Sequence, residues 1–148
     1  RHSRKEVRLK ISKLVDVDAF RQLCESFTSL TGMVTAILDL EGNIIIATGW
    51  QDICTRFHRI HPLTSSRCRE SDTILAGRIQ NGDRYTVYKC KNGLVDVAAP
   101  ITIGGKHVGN FFTGQFFLEA PDKNFFIHQA EEFGFDKRRN WCQTLIND

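Results

Sequence analysis

Residues 48–72, TGWQDICTRFHRIHPLTSSRCRESD, divide the chain into two strand-rich parts, and any fold has to bridge that division. Upstream, MVTAILDL and NIIIAT are dense in β-branched and apolar residues, and Glu41-Gly42-Asn43 between them reads as a tight turn, so the two form a hairpin. Downstream, three more strands are expected. Tyr85–Cys90 turns at Lys91-Asn92-Gly93 into Leu94–Ile103, which turns at Gly104-Gly105 into His107–Leu118. Pro100 predicts a bulge or an edge position in the middle strand, because proline donates nothing to a ladder. Gly109 and Gly114 predict a bend or a close approach in the last strand. The dividing block itself reads as two crossover helices. Asp52 caps a short one through Ile60, and His61-Pro62 ends it, since the residue before proline is pushed out of the α region. Thr64 or Ser65 then caps a second, Ser66 to Gln80, closed by Asn81-Gly82.

Helices flank this core. Asp16 or Asp18 caps the first, in which Phe20, Leu23, Cys24, Phe27 and Leu30 make one apolar stripe before the stop at Gly32, with Cys24 as a small buried hydrophobe. After Pro121 comes a helix with Phe125, Phe126, Gln129 and Phe133, then a short terminal helix around Trp141 and Leu145 in which Cys142 packs beside Trp141. The expected fold is α+β. It has a central five-stranded antiparallel sheet, two crossover helices between its hairpins, and flanking N- and C-terminal helices, the element order of PAS-like domains.

A chain of 148 residues can bury a core without staples. Its opening, RHSRKEVRLK without a Met, reads as part of a longer polypeptide, with residues 1–15 as a lead-in or linker helix and 16–148 as a sensory domain. Lys5 to Leu14 reads as the end of a signalling helix that pairs with a second copy, a homodimer contact. The 20 basic and 17 acidic residues give a net charge of +3, the excess lying in the first ten residues and in Lys137-Arg138-Arg139, with no basic stripe across the centre. Direct nucleic-acid binding is therefore not expected. No apolar run approaches the roughly 20 residues of a membrane span. Five widely spaced cysteines suit a reducing, cytoplasmic compartment.

The chemistry-bearing residues concentrate around the dividing block. Cys54 and His58, four residues apart, share a face of the first crossover helix, while Cys68 begins the second and Cys90 ends a strand before a turn. Convergence of Cys54, Cys68 and Cys90 would suit a metal ion or an iron–sulfur cluster, and hence a redox or gas sensor, although no CxxC pair is present and plain packing of small hydrophobes is the competing account. Trp50, Phe57, Tyr88, Phe112 and Phe116 supply aromatic walls for a pocket, and His58, Asp96, Asn110 and Gln115 supply polar groups to orient a small ligand. Alternation places Phe111 and Phe112, and likewise Phe116 and Phe117, on opposite faces. GxSxG, HExxH, glycine-rich phosphate loops and EF-hand loops are all missing, and Cys54 with His58 lacks an orienting third group, so an enzyme is not expected.

ICTRFHRIHPLTSSRCRESD and YKCKNGLVDVAAPITIGGKHVGNFFTGQFF resemble the PocR sensory domain, a PAS-like ligand-binding module of AraC-type regulators and histidine kinases, over about Phe20 to Phe135. Its motif positions fall on Cys54, Phe57, His58, Pro62, Cys68, Ser71, Asp72, Cys90, Asn92, Gly93, Asp96, Pro100, Gly109, Gly114, Gln115 and Phe116. The resemblance implies binding of a short hydrocarbon derivative, such as a diol or other small oxygenated compound, and relay of that signal to a fused kinase or DNA-binding output domain.

Overall fold

The computed structural model describes residues 10–75, 78–79 and 83–136. The Trp141–Leu145 helix, Cys142, the Lys137–Arg139 cluster, the Asn81-Gly82 turn and most of the lead-in lie outside them. A single helical turn, Ile11–Lys13, precedes α1 (Val17–Thr31), β1 (Val34–Asp39) and β2 (Ile44–Thr48). The dividing block follows, with α2 (Pro62–Glu70) in its second half; then come β3 (Thr86–Lys89), β4 (Val95–Ile103), β5 (Lys106–Phe116) and α3 (Lys123–Phe133). All five strands join one antiparallel sheet in the order β2-β1-β5-β4-β3, the α+β PAS-like plan expected from the element order.

The turns form for the anticipated reasons. Asp39 accepts from the backbone N–H groups of Glu41 and Asn43 at 3.0 and 2.8 Å, closing the first hairpin around Gly42, whose φ of 82° suits glycine. Asp16 caps α1 by accepting from Ala19 N at 3.0 Å, and Asp122 caps α3 in the same way. Pro100 sits on an interior strand, yet β3 pairs only with Val95 to Ala98, so the side of β4 where Pro100 would need an N–H carries no strand.

The dividing block departs from the expected pair of helices. Its first half is a π-helical turn, Ile53–His58, and Asp52 makes no cap; its side chain pairs instead with Arg56 at 3.6 Å. The second helix begins four residues before the expected Ser66, because Pro62 fits the first helical position, where no N–H is needed, and His61 caps it by accepting from Leu63 N at 3.3 Å. Thr64 does not cap: its hydroxyl donates to His58 O at 2.8 Å. The helix ends at Glu70 and continues as a second π-helical turn, Ser71–Leu75.

The apolar stripe of α1 does not face the sheet. Only Cys24 of the stripe is buried, while Leu23 and Leu30 are 64% and 87% exposed and Phe20 and Phe27 stand partly exposed. The helix packs on β1 and β2 through small residues: the Thr28 hydroxyl bonds to those of Thr35 and Thr48, and a Cβ on Gly49 would lie 2.5 Å from Thr28 Cγ2. Close packing on small side chains turns the large ones outward.

One further irregularity sets the site. Val95 pairs with Phe116 and Asp96 with Gly114, which leaves Gln115 as an extra residue in β5 with a φ of 57°. A bulge of this kind reverses the alternation beyond it. Phe112 and Gly114 therefore share a face with Asp96, but Phe116 turns away and Phe117 packs instead edge-on against Phe126 of α3, with ring centres 5.7 Å apart.

A candidate ligand cavity beneath the dividing block

On the sheet face opposite α1, the dividing block covers a cavity of about 40 Å³. Its floor is Val34, Ala36 and Leu38 of β1, Phe112 through Gln115 of β5, and Asp96 of β4. Its roof is Cys54, His58 and Arg59 from the first π turn and its end, with Cys68 and Asp72 behind them; Trp50, Cys90 and Leu94 close the sides. Single-residue alternation explains the floor, since β1 sends positions 34, 36 and 38 to this face and Thr35 and Ile37 to the other. A water molecule needs roughly 10–15 Å³ on this measure, so the space suits a few heavy atoms.

Of the residues singled out from sequence, Trp50, Cys54, His58, Cys68, Cys90, Phe112, Gln115 and Asp96 all line this cavity. Phe57 does not: it is buried behind the lining, in the cluster that holds Cys54 and Leu94, its ring 5.4 Å from that of Phe135. Phe116 is excluded by the bulge at Gln115. Tyr88 stands behind the wall, packed on the cluster of Ala36, Leu38, Ala98 and Phe112. Asn110 is engaged elsewhere, bonded to His107 at 2.7 Å.

The bulge also builds polar structure. Gln115 N donates to Asp96 Oδ1 at 3.0 Å, while its side-chain oxygen accepts from Gln51 N at 2.6 Å and so ties the start of the dividing block to the sheet. Gly114 is required here, since a Cβ would come within 2.7 Å of Asp96 Cα and 2.8 Å of Val95 O. Trp50 is held by its indole N–H, which donates to Thr35 O at 3.1 Å.

Residues that sequence reasoning had not assigned to the site complete it. Arg59 donates to Asp72 at 2.7 Å and lies 4.7 Å above the Trp50 ring. Burial works against the Arg59 charge, but Asp72 more than offsets it, so its pKa lies above the ordinary value. Asn92, read as a hairpin-turn residue and as a motif position, is fully buried and donates to Thr64 O at 2.9 Å and to Cys68 Sγ at 3.1 Å, fastening α2 to the β3–β4 turn. Gln129 of α3 donates to Asn92 O at 3.3 Å and bonds to His58 Nε2 at 2.7 Å. A signal for Gln129 was present: it is the polar member of the stripe Phe126, Gln129, Ala130, Phe133, all buried. Arg59 carried no comparable signal.

The electrostatics favour neutral groups. Burial lowers the His58 pKa to about 4 and raises that of Asp96 to about 6. Burial, reinforced for Cys54 and Cys90 by Asp96, pushes all three cavity thiols up, Cys90 to about 12. These are protonated thiols at neutral pH and poor nucleophiles. Cys54, Cys68 and Cys90 converge on the one cavity, and among the described residues no group of three or more His, Cys, Asp or Glu side chains is arranged to hold a metal ion. Five buried polar atoms have no protein partner: His58 Nδ1, Arg59 Nε, Tyr88 Oη, Asn92 Oδ1 and Thr113 Oγ1. Two of them, His58 Nδ1 and Arg59 Nε, belong to side chains of the cavity roof, whereas Thr113 shares the opposite face with its partner Thr35.

No helix among the described residues is long and apolar enough to cross a membrane. Residues 13–141 match the family profile described as the sensory domain found in PocR. The regulatory protein PocR of Salmonella typhimurium is 28% identical over 99 residues, covering 66% of this chain and 32% of that protein, so the match spans about a third of the relative's length.

Proposed function

The chain belongs to the PocR sensory-domain family, and from that footing we propose that it binds a small organic molecule, a short hydrocarbon derivative such as a diol or alcohol, in the cavity under the dividing block. One observation carries this reading. The cavity joins apolar walls (Leu38, Trp50, Phe112) to buried polar atoms of His58 and Arg59 that have no protein partner. Buried polar groups are normally paired, and an unpaired set around a space for a few heavy atoms is what a small oxygenated ligand would complete.

The bound ligand would act on the dividing block. Its roof touches both the π turn and α2, and Gln51 and Trp50 link the block to the sheet, so filling the cavity would bias their packing and reach a fused kinase or DNA-binding output domain. No residue of the cavity has the arrangement of a catalytic group, and a non-enzymatic, cytoplasmic sensor follows from the same reading. A thermal-shift screen with ethane-1,2-diol, propane-1,2-diol and propan-1-ol tests it. Saturable stabilisation by at least one, lost on filling the cavity with Ala36→Leu, is expected; no stabilisation by any of the three, with the protein folded, counts against it.

A second reading rests on a different surface. Phe20, Leu23, Phe27 and Leu30 repeat at the three- and four-residue spacing of a coiled-coil seam and stay exposed on α1. That stripe suits pairing of two copies through their α1 helices, and a concentration-dependent dimer seen by sedimentation, abolished by Leu23→Glu, is the expected result.

A further inference from the structure

The fully buried His58 ring has two nitrogens with different fates. Nε2 lies 2.7 Å from the side-chain oxygen of Gln129, while Nδ1 is buried without a protein partner. Which nitrogen carries the proton follows from the next bond along. The Gln129 amide nitrogen faces Asn92 O at 3.3 Å. A backbone carbonyl can only accept, so this contact fixes the amide with its N–H toward Asn92 and its oxygen toward His58. That oxygen also can only accept, so Nε2 must carry the hydrogen. Burial keeps the ring neutral, with a pKa of about 4, and a neutral imidazole protonated at Nε2 has a bare lone pair at Nδ1.

We propose that Gln129 is a positioning residue that locks His58 in its Nε2–H tautomer, so that the cavity presents a hydrogen-bond acceptor and selects ligands that bring a donor, hydroxyl compounds over ketones and ethers of the same shape. This rests on the ligand-binding reading above and adds to it the rule by which the site discriminates. The chain of bonds runs from the β3–β4 turn through α3 to the π turn, joining three elements that are far apart in sequence. It needs Asn92 O in a fixed place, which the buried Asn92 side chain secures through Thr64 O and Cys68. The other unpartnered side-chain group on the lining, Arg59 Nε, can donate. A hydroxyl satisfies both sides, accepting from Arg59 Nε while donating to Nδ1. A carbonyl or ether oxygen only accepts and leaves Nδ1 buried and unpaired.

Nitrogen-15 NMR of the histidine side chains in the whole wild-type chain at neutral pH tests the tautomer without any variant. The expected spectrum has His58 protonated at Nε2 and bare at Nδ1. An Nδ1–H tautomer, an even mixture or an imidazolium overturns the proposal, even if diols bind. Titration with propan-2-ol and acetone, which share a carbon skeleton, tests the selection. The alcohol should bind about tenfold more tightly, the worth of one neutral hydrogen bond, and move the Nδ1 resonance. Equal binding, or preference for acetone, overturns it. If neither probe nor any diol binds, the ligand reading fails and the selection rule fails with it, while the tautomer is still judged by the nitrogen shifts. Gln129→Glu supplies a contrast: its carboxylate still accepts from Nε2–H but draws a second proton onto the ring, so Nδ1 becomes a donor and the preference should move toward acetone. An unchanged alcohol preference in a folded Gln129→Glu protein, with the imidazolium present, would also overturn the proposal.

Discussion

The Arg59 guanidinium stands 4.7 Å above the ring of Trp50. The same group holds Asp72 at 2.7 Å, so one side chain clamps the start of the dividing block to the end of α2 across the cavity roof. Cation and ring attract in a largely desolvated place, and the planar fork allows stacking and carboxylate bonding at once.

Removing one half of that ion pair leaves a buried charge alone. Arg59→Met is expected to cost about 3–5 kcal/mol in urea unfolding, and the double variant Arg59→Met/Asp72→Leu should recover much of the loss. If the double variant is as unstable as the single one, the stacking on Trp50 rather than the charge pair carries the effect.

Gly114 is required by the approach of β4 at the bulge. A Cβ there would press on Asp96 Cα and Val95 O, both backbone, which yields little. Gly114→Ala should destabilise the protein by about 1–3 kcal/mol, whereas Gly104→Ala, at a turn with open space, should cost less despite its φ of 57°. The two midpoints in urea decide it.

Stability should respond to pH through His58 and, with the opposite sign, through Asp96 and Asp72; burial raises the Asp72 pKa too, despite Arg59 beside it. His58 has a folded pKa of about 4, below its ordinary 6.5, so it contributes stability that is present above 6.5 and lost as pH falls toward 4. Asp96 has a folded pKa of about 6, above its ordinary 3.8, so its contribution is present below 3.8 and lost as pH rises through 6. Between pH 4 and 6 they oppose each other. Asp96→Asn removes the Asp96 slope, and the gain in Tm from pH 4.5 to 6 should be larger than in the wild type. A smaller gain would show that Asp96 is ionised in the folded protein throughout that range.

The cavity thiols should be slow to react while the protein is folded. Cys54, Cys68 and Cys90 are held protonated by burial, so alkylation by iodoacetamide at pH 7.5 should run at least about a hundredfold slower than for an unfolded thiol and become fast in urea. Stoichiometric iron or zinc in anaerobically purified protein would mean that these sulfurs are thiolates after all.

The five strands, their turns and the helices α1 and α3 were legible in the chain because each depends on neighbours in sequence: β-branched runs, the Glu41-Gly42-Asn43 turn, the Asp16 cap, the break at Pro121. Cys54, Cys68, His58 and Trp50 stood out as chemistry because such side chains are unusual in a block with so little strand pattern. What the chain alone did not reveal depends on partners far away in sequence. Phe116 leaves the cavity because one extra residue in β5, visible only once β4 is paired with it, reverses the alternation. The large apolar residues of α1 face outward because small ones on its other side, Cys24 and Thr28, let it lie close to the sheet. Arg59 joins the site only through Asp72 and Trp50, and His58 acquires a defined acceptor only through Gln129, 71 residues away. Local propensity determines which elements form; which polar atoms end up buried, and what they must bond to, is decided when those elements pack and water is excluded from between them.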